Sequence, residues 1–245
     1  MVECEKGGGA QTSDLFKPTQ NGDGAPFDSA SIKTDLRKFY DRDVNYREAS
    51  VKDDWKLKLR DEFLRKAKAL GRQSLLEIGA GTGWDAKFFS ENGMDVTAID
   101  LSGENIGKCL EKGIDAVRMD AYDLEKLGRK FDCVWSLNCL LHVPKTDLPH
   151  VLRQIDGVLE DGGLFFFGAY GGRDSEEEFV CDRDDTPRFF SFYADETLKT
   201  VLRQTFEIME FDSFVTERGD YFQAVLLKKR ADINKYDTPR CLDFL

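Results

Sequence analysis

The sequence predicts an α/β fold in which helices cover both faces of a doubly wound, seven-stranded, mostly parallel sheet. Short apolar runs alternate with segments of helical periodicity from about residue 74 onward, and this alternation is typical of parallel strands joined by helices. The last two apolar runs are separated only by the polar segment 217–220. Because that connection is too short for a crossover helix, we expect an antiparallel last strand at the end of the sheet.

Each element follows from its own pattern of apolar residues. Apolar side chains recur at helical spacing over 32–46 and 53–70, so two helices precede the sheet, and Gly71 ends the second. The predicted strands are residues 74–78, 95–100, 116–119, 131–137, 163–168, 206–215 and 221–227. The later helices are expected to begin near Trp84, Ser102, Leu124, Asp147 and Ala194.

The domain boundaries follow from local composition. Residues 1–30 contain few large apolar side chains, so burial cannot offset the entropy of ordering them. We therefore expect a flexible N-terminal tail over 1–30, a helical cover over 31–71 and the α/β domain over 72–230. Residues 231–245 form a C-terminal tail to which the sequence assigns no structure.

Charge and cysteine usage narrow the class of protein. The net charge is −11 and the isoelectric point is near 4.8, which argues against a nucleic-acid partner because phosphate binding needs a basic face. The six cysteines form no C-x-x-C pair, so we expect free thiols in a reducing compartment and no metal site. No run approaches the roughly 20 apolar residues of a membrane span. A cytoplasmic protein with no membrane contact is the expectation.

A glycine turn and an acidic residue predict a cofactor site. The sequence LLEIGAGTG over residues 75–83 is an apolar run followed by an acid and alternating glycines, and Asp100 ends the next apolar run. The carboxyl ends of parallel strands meet at one edge of the sheet, where ligands bind. There the Asp100 carboxylate can accept hydrogen bonds from a ribose diol. The pair therefore predicts a nucleoside ligand.

Four motifs in order resemble those of the class I S-adenosylmethionine-dependent methyltransferases, in particular the branch that acts on small molecules. EIGAGTG over 77–83 matches the family's glycine motif, Asp100 its second acid and Asp120, within VRMDAYDL, its third. SLNCLLHVP over 136–144 resembles the loop after the fourth strand. The resemblance covers about residues 33–230 and implies a Rossmann-like fold, with the methyltransferase domain over 72–230.

The resemblance also implies the residues that hold S-adenosyl-L-methionine. The glycine turn passes beside the methionine portion, Asp100 holds the ribose hydroxyls, and Asp120 meets the adenine. Glu77 is either a near-contact of the cofactor or a strand-end acid that organises the turn. The cofactor-binding residues implied in this way are Glu77, Gly79, Ala80, Gly81, Gly83, Asp100, Leu101, Ser102, Asp120, Ala121, Leu137 and Asn138.

Two tyrosines in the helical cover are further candidates. The stretch FYDRDVNYREAS over 39–50 resembles the leading segment that folds over the cofactor in the small-molecule branch. By that resemblance Tyr40 and Tyr46 close the cofactor site. The alternative is that they pack on the sheet's helices as an amphipathic face, and for Trp55 such packing is the favoured interpretation.

His142 is the candidate catalytic residue. Methyl transfer from a sulfonium is an in-line displacement in which alignment dominates, and a base is needed only where the acceptor loses a proton as it attacks. His142 lies in the loop after the fourth strand, where donor and acceptor meet, so it is the best candidate base. The alternative is that it orders this loop. His150, the second histidine, fits a surface-helix pattern.

The methyl acceptor is expected to bind under a long segment. Residues 168–193 read as a loop without secondary structure, and loops of that length are commonly lids or binding loops. Within it Tyr170, Arg188 and Tyr193 are the candidate substrate contacts, with Arg188 as an anchor for a carboxylate or phosphate. The alternative is that its aromatic residues only seat the lid.

The sequence therefore predicts a methyltransferase that acts on the O, N or S atom of a small-molecule methyl acceptor. It leaves the acceptor's identity, a protein substrate and the oligomeric state open. Two other functions are alternatives: a catalytically silent, methyltransferase-like binding protein and a nicotinamide-dependent oxidoreductase. The second fits less well because dinucleotide sites use G-x-G-x-x-G, whereas Gly79, Gly81 and Gly83 alternate and Asp85 follows.

Overall fold

The structure, a computed structural model, describes residues 27–181 and 184–230 together with the backbone of residues 16–19. Most of the predicted N-terminal tail and the whole predicted C-terminal tail lie outside the described residues. In chain order the elements are β1 (Phe16–Thr19), α1 (Ser29–Ala49), α2 (Asp54–Ala69), β2 (Ser74–Ile78), α3 (Trp84–Glu91), β3 (Asp95–Asp100), α4 (Gly103–Glu111), β4 (Asp115–Arg118), a 3₁₀ segment (Ala121–Leu127), β5 (Phe131–Leu137), a 3₁₀ turn (Leu140–His142), α5 (Leu148–Val158), β6 (Leu159–Tyr170), β7 (Ser175–Cys181), β8 (Asp184–Phe192), α6 (Asp195–Leu202), β9 (Phe206–Val215) and β10 (Tyr221–Lys229).

The central sheet has seven strands in the order β4-β3-β2-β5-β6-β10-β9. Strands β4, β3, β2, β5 and β6 pair in parallel, whereas β10 is antiparallel to both β6 and β9. This confirms the predicted doubly wound sheet with an antiparallel last strand. The strand order reverses between β2 and β5, and the carboxyl ends on either side of such a reversal form the usual ligand crevice.

Aromatic packing joins the helical cover to the sheet. Trp135 on β5 is fully buried and stacks on Phe166 of β6, with ring centroids 4.1 Å apart. Phe63 of α2 lies 5.2 Å from the Trp135 ring. Trp55 packs 4.5 Å from Phe222, as the packing interpretation predicts. These contacts fix α2 against one face of the sheet and leave α1 to cover the ligand edge.

The prediction of a long loop without secondary structure over 168–193 is wrong. Strands β7 and β8 form an antiparallel hairpin within it, and β1 pairs with β7 to complete a second, three-stranded sheet. Strand β1 also lies within the predicted flexible tail. The hairpin is tied to the loop after β5, because Oε1 of Glu176 accepts a hydrogen bond from the Lys145 amide at 2.7 Å and the Ser191 hydroxyl donates to the Val143 carbonyl at 2.8 Å.

Smaller differences concern the bounds of individual elements. The helix expected near Leu124 is a kinked 3₁₀ segment that begins at Ala121, after Asp120 accepts a hydrogen bond from the Tyr122 amide. Helix α1 begins three residues before the predicted 32, because Asp28 caps the amides of Ala30 and Ser31. Strand β6 extends beyond the predicted 163–168 at both ends.

Candidate active site

The glycine turn carries the chain from β2 into α3. The amides of Gly79 and Ala80 donate to the carbonyl of Ile99, at 2.9 and 3.0 Å, and tie the turn to β3. Gly79 has φ +74°, and a Cβ there would lie 2.3 Å from Sγ of Cys139. Gly81 also has positive φ, but a Cβ there would meet no atom within 4 Å. The turn is therefore packed against the loop after β5 at Gly79 and open at Gly81.

Asp100 lies beside this opening at the end of β3. One carboxylate oxygen accepts a hydrogen bond from the Gly81 amide at 2.8 Å, and the other accepts from the Ser102 amide at 2.8 Å and from Asn105 at 3.4 Å. Burial raises the pKa of Asp100, while these hydrogen bonds act in the opposite direction. Each carboxylate oxygen can accept more than one hydrogen bond, so Asp100 retains capacity for a ligand hydroxyl.

A cavity lies over the turn, enclosed by the carboxyl ends of β2, β3, β4 and β5 below and by α1 above. Its volume is about 170 Å³. Most of its lining is apolar, and its polar groups come both from the strand ends and from α1. The predicted cofactor residues on its wall are Tyr40, Gly79, Gly81, Asp100, Leu101, Asp120, Ala121, Leu137 and Asn138.

Other predicted cofactor residues lie behind the wall of this first cavity. Glu77 is buried beneath the turn and accepts a hydrogen bond from the Ala86 amide; burial and the nearby Asp85 carboxylate raise the pKa of Glu77 well above its ordinary value. Ser102 caps α4 by accepting from the Asn105 amide at 3.1 Å. The residues in this group are Glu77, Ala80, Gly83 and Ser102, and their position fits a role in shaping the turn.

Asp120 is linked to the cover by an ion pair. Its carboxylate lies 2.8 Å from Nζ of Lys33, on α1, and that ammonium group sits 3.2 Å from the centroid of the Tyr122 ring. The Tyr122 hydroxyl donates to Asp147 at 2.9 Å, and the same carboxylate accepts from Ser29 at the start of α1. These contacts hold the first turns of α1 over the side of the cavity where the adenine is predicted to bind.

Tyr40 and His142 meet at the far end of the cavity. The Tyr40 hydroxyl lies 2.8 Å from Nε2 of His142, and Nδ1 of His142 lies 2.6 Å from the carbonyl oxygen of Phe189. A carbonyl only accepts, so Nδ1 carries the proton and Nε2 accepts from Tyr40. Burial lowers the pKa of His142 to about 3, with further lowering by Arg188 and Arg47. The ring is therefore neutral at physiological pH.

A second cavity of about 720 Å³ opens on the other side of this pair. Tyr40, Arg47, Asn138 and His142 line both cavities, so they form the wall at which the two meet. The remaining lining comes largely from the β7–β8 hairpin and the turn between β9 and β10. A site of this size can hold a small molecule.

The predicted acceptor residues divide between this second cavity and the core. Tyr170 and Arg188 line the second cavity, as does Tyr46, which was predicted to close the cofactor site. Tyr193 does not line it: the side chain is buried in the main core, with Nζ of Lys145 lying 4.8 Å from its ring centroid. The structure thus favours a packing role for Tyr193.

Comparison with known protein families identifies the family of this chain. Residues 44–210, more than half of the chain, match the family model described as a methyltransferase domain. The chain belongs to the class I methyltransferases. The matched segment runs from the second half of α1 to β9, so it includes the glycine turn, Asp100, Asp120 and the loop after β5. The family resemblance stated from the sequence is therefore confirmed.

Relatives of this methyltransferase include 27-O-demethylrifamycin SV methyltransferase from Amycolatopsis mediterranei, 26% identical over 64% of this chain and 61% of the relative. Ubiquinone biosynthesis O-methyltransferase from Dechloromonas aromatica is 30% identical over 44% of this chain and 49% of the relative. The chain thus spans less than two thirds of these relatives' own lengths.

A solved structure shares the fold of this methyltransferase over most of its length. It is the 1,6-didemethyltoxoflavin-N1-methyltransferase of Burkholderia thailandensis with bound 1,6-didemethyltoxoflavin and S-adenosylhomocysteine. The TM-score is 0.69 at 20% identity, with 88% of this chain and 95% of the other covered. At that identity the similarity shows a common fold.

Several residues on the walls of the methyltransferase's cavities were not predicted from the sequence. The first cavity is also lined by Lys33, Leu36 and Arg47 of α1, by Met119 directly after β4 and by Cys139 after β5. The helical pattern of 32–46 signalled α1, but not which of its faces would turn toward the cavity. Burial raises the pKa of the Cys139 thiol, and the described cysteines are free.

None of the helices among the described residues is long and apolar enough to cross a membrane. Within the same residues, no group of three or more His, Cys, Asp or Glu side chains is arranged to hold a metal ion.

Proposed function

We propose that this chain transfers the methyl group of S-adenosylmethionine to an oxygen, nitrogen or sulfur atom of a small molecule. The observation that carries the proposal is the meeting of two cavities at one wall of Tyr40, Asn138 and His142. The strand-end acids and glycine turn lie on one side of that wall and the larger cavity on the other. Such an arrangement lets donor and acceptor approach each other from opposite sides.

The first cavity fits the donor chemically. Asp100 supplies carboxylate oxygens for a ribose diol beside the open position at Gly81. The Oδ1 atom of Asn138 is buried without a hydrogen-bond partner among the described residues, and a buried polar atom without a partner is costly unless a ligand satisfies it. Arg47 provides a positive charge for the donor's carboxylate, and Asp120 with Ala121 an edge for its adenine.

The chain's own task is alignment. S-adenosylmethionine supplies a methyl group already activated on a positively charged sulfur, which leaves as a neutral thioether. Fixing donor and acceptor in line can contribute roughly 7–11 kcal/mol. Helix α1 encloses the first cavity, and the Lys33–Asp120 ion pair holds it there. The enclosure excludes water and restricts the ligand to one orientation.

The sequence predicts that His142 removes a proton from the acceptor, but its surroundings favour a different role. Its Nε2 atom accepts the Tyr40 hydroxyl, and a pKa of about 3 makes it a weak base near neutral pH. General bases work best when their pKa lies near the operating pH. We propose instead that His142 holds the Tyr40 ring at the junction of the two cavities.

The small-molecule acceptor has two supports. The relatives described above are named for methylation of a rifamycin derivative, a step of ubiquinone biosynthesis and a toxoflavin precursor. The net charge of −11 disfavours a nucleic-acid acceptor. A cytoplasmic location remains part of the proposal, supported by the free cysteines of the described residues.

The test is methyl transfer into a fractionated cell extract. The protein is incubated with donor labelled on its methyl group, and label is measured separately in material below about 1 kDa and in protein. We expect label in the small-molecule fraction, and none with the Asp100→Ala variant. Label in protein would contradict the small-molecule acceptor, and no label despite S-adenosylhomocysteine binding would favour the silent binding protein.

A further inference from the structure

The second cavity has an unusual charge for this protein. The chain carries a net charge of −11, yet among the described residues that line this cavity five are cationic and one, Asp220, is acidic. The cationic residues are Arg47, Lys56, Arg173, Arg188 and Arg218. A cavity whose lining has the opposite sign to the whole surface concentrates ligands of the complementary charge.

The carboxylates that pair with these cations stand behind the cavity wall. Asp53 lies 2.8 Å from both Lys56 and Arg218, and Glu177 lies 3.1 Å from Arg173. Neither Asp53 nor Glu177 lines the cavity. The cationic ends of these ion pairs therefore line the cavity, and their carboxylates do not.

The deepest of these cations is Arg188. Its side chain is almost fully buried, with the guanidinium carbon 4.3 Å from the ring centroid of Phe39 and 5.3 Å from that of Phe190. The guanidinium also hydrogen-bonds the Tyr40 side chain. Because a guanidinium carries five N–H donors in a planar fork, it can contact Tyr40 and a carboxylate or phosphate together. Arg188 also lies next to the Tyr40–His142 junction, because the carbonyl of the following residue, Phe189, lies 2.6 Å from Nδ1 of His142, and Tyr40, His142 and Arg188 all line this cavity.

The rest of the wall is aromatic. Phe190 and Phe192 have parallel rings with centroids 5.9 Å apart, and the guanidinium carbon of Arg173 lies 4.0 Å from the Phe192 centroid. The aromatic residues that line the second cavity are Tyr40, Tyr46, Tyr170, Phe179, Phe190, Phe192 and Tyr221. Such a wall favours a flat apolar ligand by stacking and edge-to-face contact.

We infer that the methyl acceptor is a planar aromatic compound bearing an anionic group, carboxylate or phosphate, which Arg188 binds inside the second cavity. This inference rests on the proposed function, because it names the substrate class of the same site. The aromatic body lies against the Phe190 and Phe192 wall, and the anion holds the molecule in one orientation beside the junction.

The test uses two naphthalene probes that differ in one group, 3-hydroxy-2-naphthoate and the neutral 3-hydroxy-2-naphthamide, and a third, 2-naphthyl phosphate, that carries a phosphate. Each is titrated by calorimetry into the full chain, with and without S-adenosylhomocysteine. We expect the naphthoate to bind at least about tenfold more tightly than the amide, as a charge-assisted hydrogen bond implies. The ratio between naphthoate and naphthyl phosphate identifies which anion the site prefers. Equal affinity for naphthoate and naphthamide would overturn the inference.

Variants then assign the anion to Arg188. In Arg188→Met the preference for naphthoate over naphthamide should fall below about threefold. Arg65→Gln removes an exposed arginine on α2 that does not line the cavity, and should leave the preference unchanged. If Arg188→Met does not fold, Arg188→Gln takes its place, because the amide can keep polar contacts of the guanidinium without its charge. A preference retained in the folded variant contradicts the assignment.

Failure of this inference and failure of the proposed function give different results. S-adenosylhomocysteine binding together with equal affinity for naphthoate and naphthamide overturns only the anionic acceptor. Absence of S-adenosylhomocysteine binding, with the naphthoate preference intact, overturns methyl transfer and leaves the anion site in place.

Discussion

The hydroxyl of Tyr40 donates a hydrogen bond of 2.8 Å to Nε2 of His142, across 102 positions of the chain. Because Nδ1 of the same ring donates to the Phe189 carbonyl, His142 links the cover helix, the loop after β5 and the β7–β8 hairpin. Those three segments enclose the junction of the two cavities. The pair therefore fixes the point at which donor and acceptor are proposed to meet.

Burial of a neutral His142 should make the folded protein sensitive to acid. The pKa of His142 is about 3 in the fold and near 6.5 in the unfolded chain. Between these values the unfolded state binds a proton that the folded state does not, so stability is full above about pH 6.5 and falls as the pH drops toward 3. The slope from this residue is at most about 1.4 kcal/mol per pH unit. Urea unfolding at pH 4, 5, 6 and 7 measures it.

His142→Gln should reduce that pH dependence of the free energy of unfolding. His150→Gln is the matched control, since His150 is the chain's other histidine and is exposed on α5. We expect the control to keep the wild-type slope. An unchanged slope in His142→Gln would mean that His142 is not held neutral by the fold.

Loss of the Asp100 carboxylate should weaken cofactor binding. Asp100→Ala removes the acceptor proposed for two ribose hydroxyls, and we expect affinity for S-adenosylhomocysteine to fall by about 2–4 kcal/mol. Asp95→Ala, at the exposed opposite end of β3, is the control and should bind normally. Calorimetric titration measures the affinity of both variants for S-adenosylhomocysteine. If the two affinities were equal, the ribose would not bind at Asp100.

A methyl group at Gly81 should affect ligand binding beyond its cost in stability. Gly81 and Gly93 both have positive φ and open space where a Cβ would lie, so each alanine variant should lose about 1–2 kcal/mol of stability. Only Gly81 lines the first cavity, and Gly81→Ala should lower S-adenosylhomocysteine affinity at least about tenfold. Thermal unfolding and titration of both variants separate the two effects. If Gly93→Ala lost as much affinity, the loss would reflect general destabilisation.

Loss of the ion pair between Lys33 and Asp120 should speed dissociation of the cofactor. In Lys33→Met the cover loses a half-buried ion pair over the first cavity, and we expect S-adenosylhomocysteine to dissociate about fivefold faster, equivalent to about 1 kcal/mol. Lys38→Met removes a lysine of α1 that pairs within the helix and does not line this cavity, and serves as control. Stopped-flow fluorescence gives both rates. Tighter binding in Lys33→Met would show instead that Lys33 competes with the ligand for Asp120.

The sequence predicted the central sheet well because its strands carry their own signals. The predicted bounds of β2, β3, β5 and β9 match the structure. Strands β2, β3 and β5 are mainly apolar runs, whereas β9 mixes apolar residues with acidic and polar ones. The strand-end acids and the glycine turn could likewise be predicted, because parallel strands bring their carboxyl ends to one edge. Local pattern and topology suffice for these features.

The β7–β8 hairpin could not be predicted in this way. Its first strand contains three consecutive glutamates, residues with low strand propensity, and it is stabilised by contacts distant in sequence, such as Glu176 with the Lys145 amide. The Lys33–Asp120 and Tyr40–His142 pairs depend in the same way on how α1 crosses the sheet. Tyr193 lies next to a predicted binding segment in the sequence, but the structure buries its side chain in the main core.

The most direct test of the proposed donor site is calorimetric titration of the full chain with S-adenosylhomocysteine and, separately, with NADH. The alternating glycines and Asp100 lead us to expect micromolar binding of S-adenosylhomocysteine and no detectable heat from NADH. Binding of NADH without binding of S-adenosylhomocysteine would contradict the account.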